Sequence, residues 1–229
     1  MLAVGRSDPD GSLLLQIEGR APMEHPGGRT HWNNVYVTKD DQAVSWFQEQ
    51  PTISLSLIHA TGVGLDASIV DIGGGASRLV DALLDEGFSS ITVLDLSEKA
   101  LAVSDARLGA NGASVQWLVA DVTTWEPSQT FDVWHDRAAF HFLTEQSDRA
   151  AYANRVRDAV QVGGHVIIGT FAPDGPERCS GLQVLRHDAA SIGKVLGRCF
   201  ALIESRDHAH QTPSGATQSF QFSRFQRVG

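Results

Sequence analysis

The run Ser68-Ile-Val-Asp-Ile-Gly-Gly-Gly-Ala-Ser77 constrains this chain more than any other stretch. Ile69, Val70 and Ile72 make a short apolar run of strand length, Asp71 stands near its end, and three glycines follow. Beyond them Leu79, Val80, Leu83 and Leu84 recur at helical spacing until Gly87 stops the pattern. A strand that passes through glycines into a helix start brings backbone N–H groups close to a ligand, and the helix dipole favours an anionic group there. The expectation is a nucleotide-like cofactor at the first strand–helix crossover of an α/β sheet.

Two patterns compete for that cofactor. A dinucleotide site asks for G-x-G-x-x-G, whose third glycine lets helix and strand pack closely. Gly73 and Gly75 fit it, but Arg78 occupies the third position. The other pattern is acidic-x-G-x-G, read here as Asp71 to Gly75, which suits a ligand with an ammonium group and no pyrophosphate. Three more strand-like runs follow. Ser90 to Leu96 carries Asp95 at its end, where a carboxylate accepts both hydrogen bonds of a ribose diol. Val115 to Ala120 leads into Asp121-Val122, and Phe131 to Trp134 leads into His135-Asp136-Arg137. Acidic residues thus stand at four consecutive strand ends, the edge where open α/β sheets bind ligands.

Together these residues resemble the class I S-adenosylmethionine (SAM) methyltransferases, with Asp71 to Gly75 as motif I. The resemblance implies SAM as cofactor and S-adenosylhomocysteine as product. It implies Asp71, Gly73 and Gly75 at the amino-acid end, Asp95 and Leu96 at the ribose, Asp121 and Val122 at the adenine, and His135 beside them. It also implies a Rossmann-like fold, a seven-stranded, mostly parallel sheet with helices on both faces and a C-terminal antiparallel hairpin. That hairpin is legible in Phe200–Glu204 and Gln218–Phe222, which flank Pro213-Ser-Gly215. The aromatics between His31 and Phe47 resemble the cap of small bacterial methyltransferases, with Trp32, Tyr36 and Trp46 expected to border the transferable methyl. Asp136-Arg137, expected in the segment after the fourth strand, resembles the Asp-Arg pair of thiopurine S-methyltransferases. With Arg in place of Lys it also resembles the Asp-Lys-Gly-Thr signature of elongation-factor lysine methyltransferases. Both families have a glycine next, where this chain reads Ala138. The resemblance therefore casts Asp136 and Arg137 as the catalytic residues.

The rest of the chain bounds the function. Its 229 residues, 42% apolar, suffice for one α/β core, so a flexible tail over residues 1–28 and a single domain over 29–229 are expected, with 31–60 as the cap. A net charge of −9 offers no bulk basic surface for nucleic acid or an anionic membrane. Cys179 and Cys199 lack metal-ligand spacing and a disulfide framework, so no metal is expected and the compartment is read as the reducing cytoplasm. His208 and His210 alternate as on a strand, without a third ligand. The expected reaction is in-line transfer of the sulfonium methyl to a small-molecule thiol, chalcogen or amine. A protein lysine is the alternative acceptor, and a catalytically inactive SAM-binding interaction module is the alternative of another class.

Overall fold

The computed structural model describes residues 27–229, so the expected tail over 1–28 lies outside the described residues except for Gly27 and Gly28. Two helices come first, α1 (Arg29–Thr38) and α2 (Thr52–His59). The alternating part follows as β1 (Ser68–Ile72), α3 (Leu79–Asp85), β2 (Ser90–Asp95), α4 (Glu98–Leu108), β3 (Val115–Val119), β4 (Phe131–Arg137), α5 (Gln146–Ala159) and β5 (Val160–Phe171). A two-residue pair, β6 (Arg178–Cys179) and β7 (Leu182–Gln183), precedes α6 (Ala189–Leu196), β8 (Phe200–Gln211) and β9 (Thr217–Arg227).

The seven-stranded sheet runs β3-β2-β1-β4-β5-β9-β8. β1 to β5 are mutually parallel, whereas β9 lies antiparallel to both β5 and β8. The strand order reverses between β1 and β4, the crevice where doubly wound sheets hold their ligands. Apolar residues of β1 to β5 alternate between two cores. Ile69, Val133 and Ile167 pack under α2 and α3 with Leu57, Leu79 and Leu83, while Val70, Trp134 and Ile168 face Tyr152, Val156, Ile192 and Leu196 of α5 and α6. Side chains on a strand change face at every residue, so each strand end delivers one side chain to each core.

Local chemistry sets the helix limits. Ser97 caps α4 by accepting from the Ala100 N–H, and Asp188 with Ser191 forms a reciprocal cap on α6. Two boundaries differ from the sequence expectation. β4 continues past Trp134 to Arg137, because Asp136 and Arg137 pair with Ile168 and Gly169 of β5. In the sequence Tyr152, Val156 and Val160 mark one helix stopped by Gly163-Gly164, but α5 ends at Ala159, and the two glycines lie instead in a register irregularity of β5 opposite Phe131–Val133.

Candidate active site

Asp71 ends β1 beside His135 of β4 in the parallel register. The glycine loop leaves β1 with Gly73 and Gly75 both at positive φ, 66° and 38°. A Cβ on Gly75 would lie 2.8 Å from Asp95 Oδ2, and one on Gly73 would lie 2.7 Å from the Ala139 Cβ. The loop is thus drawn against the ends of β2 and β4 as closely as backbone allows. Arg78 does not pack between helix and strand. Its guanidinium leans over the Phe47 ring at 5.9 Å and lies 4.0 Å from Asp41, so this position serves the cap.

Asp95 accepts from the Ser97 N–H at 2.7 Å, with the N–H groups of Gly75 and Leu96 also turned toward it. Burial nevertheless pushes its carboxyl up to about 7, and the neighbouring Asp71 charge adds to that rise. α1 crosses above this carboxylate, where Asn33 Oδ1 accepts from the Ser97 hydroxyl at 2.8 Å. Asp121 follows β3 as an exposed turn residue, its Oδ1 accepting from the Thr123 N–H and hydroxyl at 2.8 and 2.6 Å. Val122 is buried among the α5-side residues. Gly73, Gly75, Asp95, Leu96 and Asp121 therefore share one sheet edge, as their spacing implied.

Trp32, Tyr36 and Trp46 do come together. Trp32 meets Trp46 and Phe142 edge-on, with ring centroids at 5.9 and 5.0 Å, and Trp46 Nε1 donates to the Tyr36 hydroxyl at 3.2 Å. Arg137 rises from β4 into this group. It donates to the Trp46 carbonyl at 2.8 Å and covers the Phe220 ring at 5.7 Å. No carboxylate among the described residues lies within ion-pair distance of it, and burial lowers its pKa to about 10.

The adjacent residues correct two expectations. Asp136 does not face an acceptor. Strand alternation turns it away from Arg137 into the α5 core, where it has no exposed surface. Its Oδ1 accepts from the Ala139 and Phe140 N–H groups at 2.9 and 3.1 Å, and its Oδ2 from the Tyr152 hydroxyl at 2.8 Å. Tyr152 in turn accepts from Trp134 Nε1 at 2.8 Å. The carboxylate thereby shapes the turn after β4, and burial pushes its pKa up to about 6. His135 likewise offers no open surface. Its Nδ1 donates to Asp71 Oδ1 at 2.7 Å and its Nε2 accepts from the Ser54 hydroxyl at 2.9 Å, so it bears on a cofactor only through Asp71.

Sequence reasoning missed Ser54, Tyr152, Asn33 and His187. None lies in a motif, and each reaches the site from a distant part of the chain. His141 lies in the turn of Phe140–Phe142 after β4. It is fully buried between Phe142 and Phe171, with neither ring nitrogen hydrogen-bonded. Burial holds His141 down at about 3 and the neighbouring His187 at about 4, so both are neutral.

Residues 69–164 match the family model of a methyltransferase domain. Over those residues the chain carries an S-adenosylmethionine-dependent methyltransferase domain. Human EEF1A lysine methyltransferase 2 is 27% identical over 157 residues, 62% of this methyltransferase and 66% of the relative. Thiocyanate methyltransferase 1 of Arabidopsis thaliana is 26% identical over 131 residues, 56% of each chain. The chain spans between 39% and 66% of the length of the curated relatives it matches. In fold it resembles the N-methyltransferase NodS of Bradyrhizobium japonicum, solved with S-adenosylhomocysteine, at a TM-score of 0.67 and 14% identity, covering 88% of this chain and all of that one (100%).

The cradle suits the family's cofactor. The loop against Asp71 and Asp95 has no room for side chains at Gly73 or Gly75, and Asp95 is a carboxylate with an acceptor oxygen beneath α1. Among the described residues no cluster of three or more His, Cys, Asp or Glu is arranged to hold a metal. No described helix is long and apolar enough to cross a membrane.

Proposed function

We propose that this methyltransferase alkylates a small anionic acceptor, a thiolate or another soft anion, with Arg137 as the charge that receives it. The supporting observation is a guanidinium with no carboxylate at ion-pair distance among the described residues. Arg137 is half-buried, and a cation partly withdrawn from water gains when a ligand supplies the opposite charge. Arg137 stands at the cofactor edge of β4, its nearest acidic neighbour in sequence, Asp136, is turned to the other face, and Asp71, whose charge reaches it, is hydrogen-bonded to His135 and not to it. His141 and His187 each keep a buried ring nitrogen without a partner.

SAM, when bound, supplies a methyl group already activated by its sulfonium. Asp71, the glycine loop and Asp95 hold the cofactor. Arg137 orients the acceptor anion, and Trp32, Tyr36 and Trp46 exclude water from the reaction. A thiolate acceptor needs no general base, because its proton is lost to solvent before it binds. Asp136, with both oxygens occupied, has no proton to relay.

A protein lysine is the second reading, and the lysine methyltransferase relative favours it. A lysine must arrive past a guanidinium of like charge, which argues for the anion. Radiolabelled SAM offered with hydrosulfide, thiocyanate, small thiols and cell-lysate proteins separates the two. The expected result is label on a small anion, with Arg137→Gln lowering kcat/KM about 10- to 100-fold while S-adenosylhomocysteine affinity changes less than about twofold. Label entering only protein, or full turnover by Arg137→Gln, would overturn the reading.

A further inference from the structure

Three buried polar side chains from three elements stand in line between the cap and the cofactor loop. Ser54 lies on α2, His135 on β4 and Asp71 at the end of β1, linked by hydrogen bonds of 2.9 and 2.7 Å. Their exposures are 0, 2 and 3%. Buried polar chains of this kind add little stability over an apolar trio of equal volume. Serine, histidine and aspartate in this order are also the parts of a nucleophilic triad. Ser54 cannot act as one, because its hydroxyl is sealed beneath α2 with no surface to meet a substrate.

What the line controls is Asp71. Oδ1 is committed to His135, which leaves Oδ2 over the loop, 2.5 Å from where a Cβ on Gly74 would stand. Without His135 the carboxylate is free to rotate about χ2 and lose that aim. We propose that Ser54 and His135 are positioning residues that act through Asp71, aiming its free oxygen at the ammonium of the bound cofactor. Seating of α2 and capture of the cofactor then become one event. Ser54 reports the place of α2, His135 carries that report across the top of β4, and Asp71 presents it to the ligand. The inference rests on the cofactor assignment and is independent of the acceptor.

Calorimetry with S-adenosylhomocysteine on the full chain tests it. Ser54→Ala should weaken binding about 5- to 10-fold, and Ser54→Thr, which keeps a hydroxyl, should restore it to within about twofold. Ile192→Ala empties an equally buried site on α6 and should lower the melting temperature at least as far, yet leave the affinity within about twofold. In wild-type protein carrying 15N-histidine, addition of S-adenosylhomocysteine should move the His135 ring resonances. Unchanged affinity in Ser54→Ala, equal weakening by Ile192→Ala, or a His135 ring indifferent to the ligand would each overturn the proposal. Wild-type protein that fails to bind S-adenosylhomocysteine would overturn it too, by removing the cofactor assignment on which it stands.

Discussion

Taking the pH from about 8 to about 6 should weaken S-adenosylhomocysteine binding about tenfold, with Asp95 as the cause. Its carboxyl is pushed up to about 7 by burial beneath the cap, despite three backbone N–H groups that favour the charge. A ribose diol brings donors, and an ionised carboxylate meets them with two acceptor oxygens, whereas the protonated acid turns one oxygen into a donor. Only the ionised fraction of free protein is competent, so the apparent affinity scales with it. With a midpoint near 7 that fraction is roughly nine-tenths at pH 8 and roughly one-tenth at pH 6, a loss of about 1.4 kcal/mol. Binding near pH 6 must therefore expel a proton. Calorimetry in two buffers of different ionisation enthalpy should show release approaching one proton per site. Asp95→Asn should bind more weakly at pH 8 and lose the pH slope. A constant affinity from pH 6 to 8, or a slope that survives in Asp95→Asn, would refute the reasoning. Linkage gives a companion result of opposite sense. Between about 4 and 7 the native carboxyl holds a proton that the unfolded chain has lost, so its contribution to the ligand-free protein's stability grows as the pH falls through that window.

Two further outcomes follow from the turn after β4. Tyr152→Phe should cost about 2–4 kcal/mol, because it strands both Trp134 Nε1 and an oxygen of Asp136, and urea unfolding at constant m-value will measure it. Ala138→Gly should raise stability by about 1 kcal/mol in the same assay, since Ala138 holds φ at +71° where a Cβ is disfavoured.

The fold and the cofactor edge were legible because each is written locally. Apolar runs ending in Asp71, Asp95 and Asp121, a glycine loop and a terminal hairpin announce themselves within a few residues. The acceptor side was not, and β4 shows why. Reading the strand as ending at Trp134 left Asp136 and Arg137 together in a loop, free to act as a pair. Three more residues of strand pairing send them to opposite faces and give them unrelated tasks. Ala138 carries a similar lesson, since it stands where both resembling families have a glycine. The positive φ persists with alanine, so the turn survives in a strained form. Ser54 and Tyr152 belong to helix faces that look like ordinary amphipathic pattern, and only the distance across the sheet reveals their partners.

The cap is fastened by strands made late. The Ser45 carbonyl is held by His210 at 2.8 Å and the Ser56 hydroxyl by Arg206 at 2.8 Å, both from β8. β8 joins the sheet solely through β9, which threads between it and β5. During synthesis the cap residues therefore leave the ribosome long before these two anchors exist, and the fastening waits on strands that end at residue 227. Over that interval β4 and Phe142 already stand behind Trp32 and Trp46, and only the two fastenings from β8 are missing.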